Sequence, residues 1–379
     1  MRAVKLCLLL LLTVSNTTGC WNLREPNQLA FDLGSGLDLT KDGLFEFSAQ
    51  IAIPSGVGGG QDGGGGNKKE SFRTLSATGE NIYDAIQKLQ TKLSRKVFLG
   101  HRQIILIGQR MAEFGMSKFL DEFVRNPESE MRSLVYVVKE GQAKDILNVN
   151  PFFDPFTANA LVSGLDILAW KHNYYRDFLS DALSQGIQPM VPAVSLTASS
   201  KFIYSGAAIF NKDNGMKLVG FLNIKEAVYA NWIRDRQENS SVTAFVTQGN
   251  GNVSVKLQSL NRRIRVKMVN ERMKIDVHLT GKGTIVENNS SLNPSKPKDL
   301  QIIQDELGQT TQRSINQLIE KVQKQYKTDI FGFGESVHQQ YPHQWKTLKD
   351  NWTETFPQLP VSVQVELQCK DPGRSNSSP

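Results

Sequence analysis

The first twenty residues constrain the chain most, because they decide on which side of a membrane the rest has to fold. Met1–Lys5 contains two basic residues, and an apolar run of nine, Leu6–Val14, follows it. Nine residues cannot cross about 30 Å of hydrocarbon. A basic start, a short apolar core and a small-residue exit are typical of an export signal. We therefore predict that residues 1–19 are a signal peptide and that the body is exported.

Cys20 ends this segment, directly after the small residues Thr17, Thr18 and Gly19. A cysteine in this place resembles the bacterial lipobox, whose cysteine becomes the new N-terminus and carries S-diacylglycerol and N-acyl chains. The usual lipobox has Leu where this chain has Thr17, and the alternative is a secreted protein with a free Cys20. Two or more acyl chains give lasting membrane attachment. We predict that Cys20 is the lipid attachment site.

The other cysteines and the charge fit a soluble body on a lipid anchor. Cys7 leaves with the signal, so Cys369 is the one remaining thiol and no intramolecular disulfide is expected. No apolar run after Cys20 reaches the 18 residues of a membrane span. The net charge of +7 arises from 44 basic and 37 acidic residues. This excess is too mild to indicate nucleic-acid binding, which needs a concentrated basic patch.

Alternating apolar and polar residues predict a β-hairpin at the start of the body. Gln28–Leu39 and Leu44–Ile53 have strand patterns, and Asp42-Gly43 between them is typical of a turn. Helix and strand patterns then alternate, with one helix predicted over Arg110–Arg125, and this order favours a mixed α/β arrangement. Leu300–Tyr326 is the longest helix candidate. We expect an α+β fold, a mixed α/β multi-domain body with antiparallel-rich sheets.

Two domains are predicted within the body. The first is a mixed α/β domain over residues 20–197, closed by the proline-containing segment Gln188–Pro192. The second covers residues 200–372, and its further division near 235–260 stays open. A disordered tail is expected at 373–379.

Ile264–Met268 and Met273–Leu279 alternate cleanly and predict an antiparallel ribbon with one basic face. Arg263, Arg265 and Lys267 form that face. Its simplest interpretation is the solvated outer face of a sheet, and the alternative is a contact with anionic lipid headgroups or an acidic partner. Single-strand nucleic-acid binders need aromatic residues for stacking, and none is interleaved here. No nucleic-acid partner is therefore predicted.

No combination of residues points to catalysis. None of the five histidines lies in an HExxH motif, and no GxSxG motif is present. Ser55–Lys69 is a glycine-rich flexible loop that lacks the GK[ST] end of a phosphate-binding loop. Cys369 has no motif of a thiol nucleophile around it. The sequence predicts a non-enzyme without catalytic residues, metal site or cofactor.

Four stretches together resemble one family, the C-subunit lipoproteins of bacterial spore germinant receptors (the Ger(x)C family). Three are short: Gly19–Glu25 (GCWNLRE), Gln50–Ser55 (QIAIPS) with the glycine-rich loop and Tyr83-Asp84-Ala85 behind it, and Gly100–Gln103 (GHRQ). The fourth is the most specific and runs from Asp329–Glu335 (DIFGFGE) through His338, Pro342, Trp345, Trp352 and Phe356 to a final strand at Val361–Leu367. The resemblance spans essentially the whole mature chain.

The resemblance implies a non-catalytic subunit that acts with two membrane-embedded partners, the A and B subunits. Such a complex senses nutrients and triggers germination from the inner membrane of the spore. This subunit would be anchored on the outer, non-cytoplasmic face, and the family fold is mixed α/β in three domains. The alternative function is a lipid-anchored solute-binding protein of a transporter, whose two lobes enclose a ligand cleft lined by polar residues.

The resemblance also marks a set of structural residues near the C-terminus: Phe331, Gly332, Phe333, Gly334, Trp345, Trp352 and Phe356. We expect the two glycines to adopt backbone angles that other residues avoid, so that both phenylalanines tuck inward. The last three aromatic residues are seven and four positions apart, the spacing of one helical face. That face is either a cap on the core or a docking surface for a partner.

Overall fold

The computed structural model describes residues 25–54, 70–126, 128–269 and 272–371. The predictions for Cys20, for the glycine-rich loop and for the C-terminal tail lie outside these residues. Two β-sheets with helices packed around them form the described body. The predicted α+β fold is confirmed, and both sheets contain parallel as well as antiparallel pairs.

The larger sheet has nine strands in the order β3-β2-β1-β5-β6-β7-β8-β9, with β4 paired to β1. The strands are β1 Leu29–Leu39, β2 Phe45–Ala52, β3 Phe72–Gly79, β4 Lys96–Phe98, β5 Ile104–Gly108, β6 Leu134–Val138, β7 Met190–Leu196, β8 Phe202–Asn211 and β9 Lys217–Leu222. The predicted hairpin is confirmed as β1–β2. The four central strands, β1, β5, β6 and β7, run parallel to one another, and antiparallel strands flank them on both sides.

The central strands are buried on both faces. β5 (IILIG) and β6 (LVYVV) are apolar without interruption, and every residue in them is buried. Alternate side chains enter opposite cores, so Ile104 and Leu106 belong to one apolar cluster and Ile105 and Ile107 to the other. A parallel strand that is covered on both faces needs such a continuous apolar run.

Six helices connect and cover the strands of the described first half. They are α1 Ile82–Gln90, α2 Gln109–Phe114, α3 Ser117–Arg125, α4 Ala143–Leu147, α5 Thr157–Ile167 and α6 Tyr175–Leu183. The prediction of one helix over Arg110–Arg125 is wrong, because Gly115 ends α2 with a φ of 117°. A Cβ at Gly115 would lie 2.6 Å from the carbonyl oxygen of Gly215. The chain therefore bends where it meets the loop before β9.

The second sheet has the order β10-β11-β12-β13. Its strands are β10 Ser240–Val246, β11 Gly251–Val269, β12 Arg272–Asn288 and β13 Val361–Asp371. The predicted antiparallel ribbon is confirmed as the outer part of the long β11–β12 pair. α7 Ile224–Ile233 contacts strands of both sheets, and α8 Pro297–Lys321 packs on β10 and β13.

The sheets do not follow the predicted domain boundary. β8 and β9 come after residue 200, yet they pair with β7 and complete the first sheet. Three short helices follow α8, namely α9 Phe333–Gln340, α10 Pro342–Leu348 and α11 Trp352–Thr355. β13 then returns to pair in parallel with β12. The division into domains over 20–197 and 200–372 stays a prediction.

A buried carboxylate joins β1 to the start of α4. Asp38 is 2% exposed and accepts hydrogen bonds from the N–H groups of Ala143 and Lys144 at 2.8 and 3.1 Å. Gly108 leaves room for it, because a Cβ at that position would lie 2.0 Å from an Asp38 oxygen. Burial raises the pKa of Asp38 to about 6, although the two N–H donors lower it.

Asp38→Asn should flatten the pH dependence of stability. The folded pKa of Asp38 lies above its ordinary value of 3.8, so the folded state binds the proton more tightly than the unfolded state. The contribution of Asp38 to stability therefore falls as the pH rises from about 4 to about 6. Relative to Asp38→Asn, the wild-type unfolding free energy should drop by up to about 3 kcal/mol over that interval. Urea unfolding between pH 4 and pH 7 measures the difference, and parallel profiles would contradict the prediction.

Candidate functional site

One buried carboxylate organises the turn that follows α8. Asp329 is 3% exposed, and its Oδ1 accepts the three backbone N–H groups of residues 331–333 at 3.0–3.2 Å. Its Oδ2 accepts the N–H of Gly334 at 2.8 Å and the indole N–H of Trp352 at 3.0 Å. Burial raises the pKa of Asp329 to about 6, although these donors lower it. Five N–H groups thus share one side chain as their acceptor.

The two glycines of this turn have different roles. Gly332 lies in the left-handed region with a φ of 75°, which glycine adopts without strain. Gly334 has no such angle, but a Cβ there would lie 2.6 Å from the Cα of Gly186 and 2.7 Å from the Trp352 indole nitrogen. The expectation of special backbone angles is therefore right for Gly332 and wrong for Gly334, which has to be small.

Aromatic rings pack around the turn and are continuous with the main core. Phe331, Phe333, Trp345, Trp352 and Phe356 are each at most 7% exposed. Ring centroids lie 5.2 Å apart for the two phenylalanines of the turn and 5.3 Å apart for the two tryptophans. The prediction of one shared helical face is wrong, because the tryptophans lie on two short helices, α10 and α11, with a 3-10 turn between them.

A buried ion pair ties the turn to the first half of the chain. Arg234, just after α7, donates to the carbonyl oxygen of Ile330 at 2.8 Å and to the carboxylate of Asp181 in α6 at 2.5 Å. Arg236 approaches the same carboxylate at 3.5 Å. Burial lowers the pKa of the Arg234 guanidinium, and the nearby Asp181 carboxylate opposes that effect. Removing one partner of such a pair leaves an uncompensated buried charge.

Two clefts flank this turn. The larger, of about 650 Å³, lies between the end of α6 and the helices α10 and α11. The smaller, of about 250 Å³, is polar, and its lining includes Asp181, Arg234, Arg236, Arg262 and Glu335. Asp181 binds Arg234 and Arg236, so these three charged groups of the smaller cleft are engaged in holding the fold.

The predicted basic residues lie on an edge of the second sheet. β10 pairs with β11 only from Gly251 to Leu257. Beyond Leu257, the backbone edge of β11 that faces away from β12 has no partner strand within the described residues. Arg263, Arg265 and Lys267 are all exposed there. Lys267 forms an ion pair with Asp276 of β12 at 2.5 Å. Charges on such an edge keep further strands from pairing with it.

A side chain from α9 covers part of the same edge. The Oε1 atom of Gln340 accepts the Val266 N–H at 3.0 Å, and its Nε2 donates to the Ile264 carbonyl oxygen at 3.2 Å. Gln340 therefore pairs with β11 as a neighbouring strand would, which satisfies backbone groups that an edge leaves open.

Cys20 lies outside the described residues, and no helix within them is both long and apolar enough to cross a bilayer. The same residues contain no cluster of three or more His, Cys, Asp or Glu side chains that could hold a metal ion. Sequence reasoning missed Asp181 and Arg234, because 53 positions separate them and no local motif links them.

Asp329→Ala should destabilise the protein strongly. It removes the acceptor of five N–H groups, and each buried donor left without a partner costs about 1–3 kcal/mol. We expect the unfolding free energy to fall by at least about 3 kcal/mol in urea unfolding. Glu335→Ala, in the same turn but partly exposed, is the matched control and should cost less than about 1 kcal/mol. Equal losses in both variants would contradict the role of Asp329.

Two substitutions of Trp352 separate ring packing from hydrogen bonding. Trp352→Ala should cost about 3–5 kcal/mol, because it empties a buried aromatic site. Trp352→Phe keeps most of the ring and loses only the N–H donated to Asp329, so about 1–2 kcal/mol is expected. Thermal and urea unfolding measure both. Unchanged unfolding of Trp352→Ala, together with loss of a co-purifying partner, would identify a docking surface instead.

Known families and structures match the chain almost from end to end. The family model for the spore germination protein N-terminal domain matches residues 22–196, and the model described as "Spore germination B3/GerAC like, C-terminal" matches residues 205–373. Spore germination protein KC of Bacillus subtilis (strain 168) is 27% identical over 99% of this chain and 97% of its own length. The putative spore germination protein YfkR of the same organism is 29% identical over 94% of each chain.

A solved structure shares the fold. The crystal structure of the GerBC protein superposes with a TM-score of 0.57 at 19% identity, and the match covers 90% of this chain and 99% of that chain. Both family models fall in consecutive order on the two halves of the sequence. The chain belongs to the GerAC, or Ger(x)C, family of spore germination proteins.

Proposed function

We propose that the chain is the lipid-anchored, non-catalytic C subunit of a spore germinant receptor and acts with two membrane-embedded subunits in nutrient-triggered germination. The observation that carries the proposal is the match of two consecutive spore germination models to residues 22–196 and 205–373. Spore germination proteins B3 and A3 of Bacillus subtilis (strain 168) also align over 93% and 96% of their own lengths, each at 23% identity.

Only a short connection separates the proposed lipid attachment site Cys20 from the body. The described chain begins at Glu25, five residues after the predicted attachment site, and β1 begins at Leu29. A lipid on Cys20 therefore holds the body close to the bilayer. On this proposal the body lies on the outer, non-cytoplasmic face of the spore inner membrane.

The buried charged groups hold the fold together, which supports a non-catalytic role. Asp329 accepts five hydrogen bonds from its own turn and from Trp352, and Asp181 binds Arg234. Burial raises the pKa of the Cys369 thiol to about 11. That thiol is protonated at neutral pH and is a poor nucleophile.

The exposed basic edge of β11 is the proposed contact with a membrane subunit or with anionic headgroups. Arg263, Arg265 and Lys267 project from it, and positive charge attracts an anionic membrane surface. The same charges also protect an edge strand, so this proposal is secondary to lipid attachment at Cys20.

Cys20→Ala should release the protein from the membrane and weaken germination. In spores that express it as the sole copy, most of the protein should move from the membrane fraction to the soluble fraction. The loss of optical density after nutrient addition should slow markedly. Cys369→Ala, which removes a buried thiol, is the matched control and should stay membrane-bound. A mass spectrum with an unmodified Cys20 in the wild type would contradict the anchoring.

The solute-binding alternative makes the opposite prediction about ligands. A solute-binding protein binds its nutrient tightly without other subunits, whereas the proposed subunit acts within a complex. Calorimetry of the mature protein with the nutrients that trigger germination of its spores distinguishes the two. Tight binding by this chain alone would favour the transporter function.

A further inference from the structure

We propose that Phe152 and Phe153 insert into the headgroup region of the membrane, so that the end of the large sheet at which they lie faces the bilayer. The inference rests on the proposed lipid attachment at Cys20 and adds an orientation to it. The partner is a lipid surface rather than a second protein.

The two rings are fully available to a partner. Phe152 is 86% exposed and Phe153 is 92% exposed, the highest values among the large apolar residues of the described chain. Their ring centroids lie 4.7 Å apart in a T-shaped arrangement. Two neighbouring aromatic rings in water form an unfavourable apolar surface, and such a surface on a soluble body usually marks an interaction site.

The loop that presents the rings is fixed to the sheet. The hydroxyl of Ser71 donates to the carbonyl oxygen of Pro155 at 2.6 Å, and the rings of Phe72 and Phe156 lie 6.4 Å apart. Ser71 and Phe72 are the entry to β3. The exposed pair is therefore held next to the first residues of β3.

The start of the chain reaches the same end of the sheet. Phe72 of β3 pairs with Ala52 of β2, and Ile51 pairs with Asp32 of β1. The entry to β3, the exit of β2 and the entry to β1 therefore lie side by side. Cys20 precedes the first residue of β1 by nine positions, and nine extended residues span at most about 30 Å. A lipid on Cys20 keeps this end of the sheet near the bilayer.

The chemistry of the loop suits a membrane interface. Phenylalanine rings on an otherwise polar surface are favoured at the boundary between headgroups and acyl chains. Asp154 follows the rings directly, and its carboxylate limits the insertion to that boundary. The lipid anchor raises the effective concentration of the two rings at the membrane surface, so even a weak affinity of the rings for the headgroup region leads to insertion.

An environment-sensitive dye at residue 153 tests the proposal. Phe153→Cys in the mature, lipidated protein is labelled with the fluorophore NBD and reconstituted into vesicles of equal parts phosphatidylcholine and phosphatidylglycerol. Cys20 is acylated and Cys369 is buried, so labelling is selective. Asp42→Cys, in the exposed turn at the opposite end of β1, is the matched control. We expect a blue shift and quenching by acyl-chain nitroxide lipids at 153 and neither at 42.

A second variant and a flotation assay distinguish failure of the proposed orientation from failure of the lipid anchor. Phe152→Ser beside the label should reduce the quenching, and it leaves folding intact because the residue is exposed. If the protein floats with vesicles but both labels report water, the orientation is wrong while the lipid anchor stands. If the label at 153 becomes apolar only with membrane subunits present, the rings bind protein and the proposal fails. If the protein does not float, the anchoring fails as well.

Discussion

The C-terminal half of the molecule depends on the convergence of five N–H groups on the carboxylate of Asp329. Phe331 and Phe333 are buried on either side of Gly332, so their backbone has to leave water together with their rings. A buried N–H group without an acceptor costs more than the hydrogen bond itself contributes. The carboxylate supplies acceptors for the N–H groups of residues 331–334, so that two phenylalanines in three residues can face the core without leaving these donors unsatisfied.

The same turn joins the two halves of the protein. Gly186 and Gly334 bring two backbones into direct contact, and the N–H of Gln188 donates to the carbonyl oxygen of Asp329 at 2.8 Å. Arg234 adds a bond to the next carbonyl, that of Ile330, and a bond to Asp181. Backbone contacts of this kind leave little freedom, because no flexible side chain lies between the segments. The segments on either side of the contact are expected to move together.

How far the sequence predicts this structure depends on the distance over which each interaction acts. The uninterrupted apolar runs of β5 and β6 and the hairpin β1–β2 follow from local patterns, and the structure has them. Helical spacing alone did not reveal the break at Gly115, which is required by contact with Gly215, a hundred positions further on.

The residues of the candidate site also differ in how far local sequence patterns predict them. The aromatic motif around Asp329 is a local pattern, so its residues stand out in the sequence, whereas the ion pair of Asp181 and Arg234 exists only once the chain is folded. The alternation of apolar and basic residues predicts the basic face of Arg263, Arg265 and Lys267. Its place on the edge of a sheet follows from where β10 ends, which alternation does not encode.

The position of β13 has a consequence for how the chain is made. β13 is the last described segment, and it pairs with β12 and supports α8. During synthesis, β12 therefore lacks one neighbour and α8 lacks part of its packing surface until residue 371 has emerged. The late arrival of this strand keeps the second sheet incomplete until nearly the whole described chain has been synthesised, so this sheet is the last part of the fold to close.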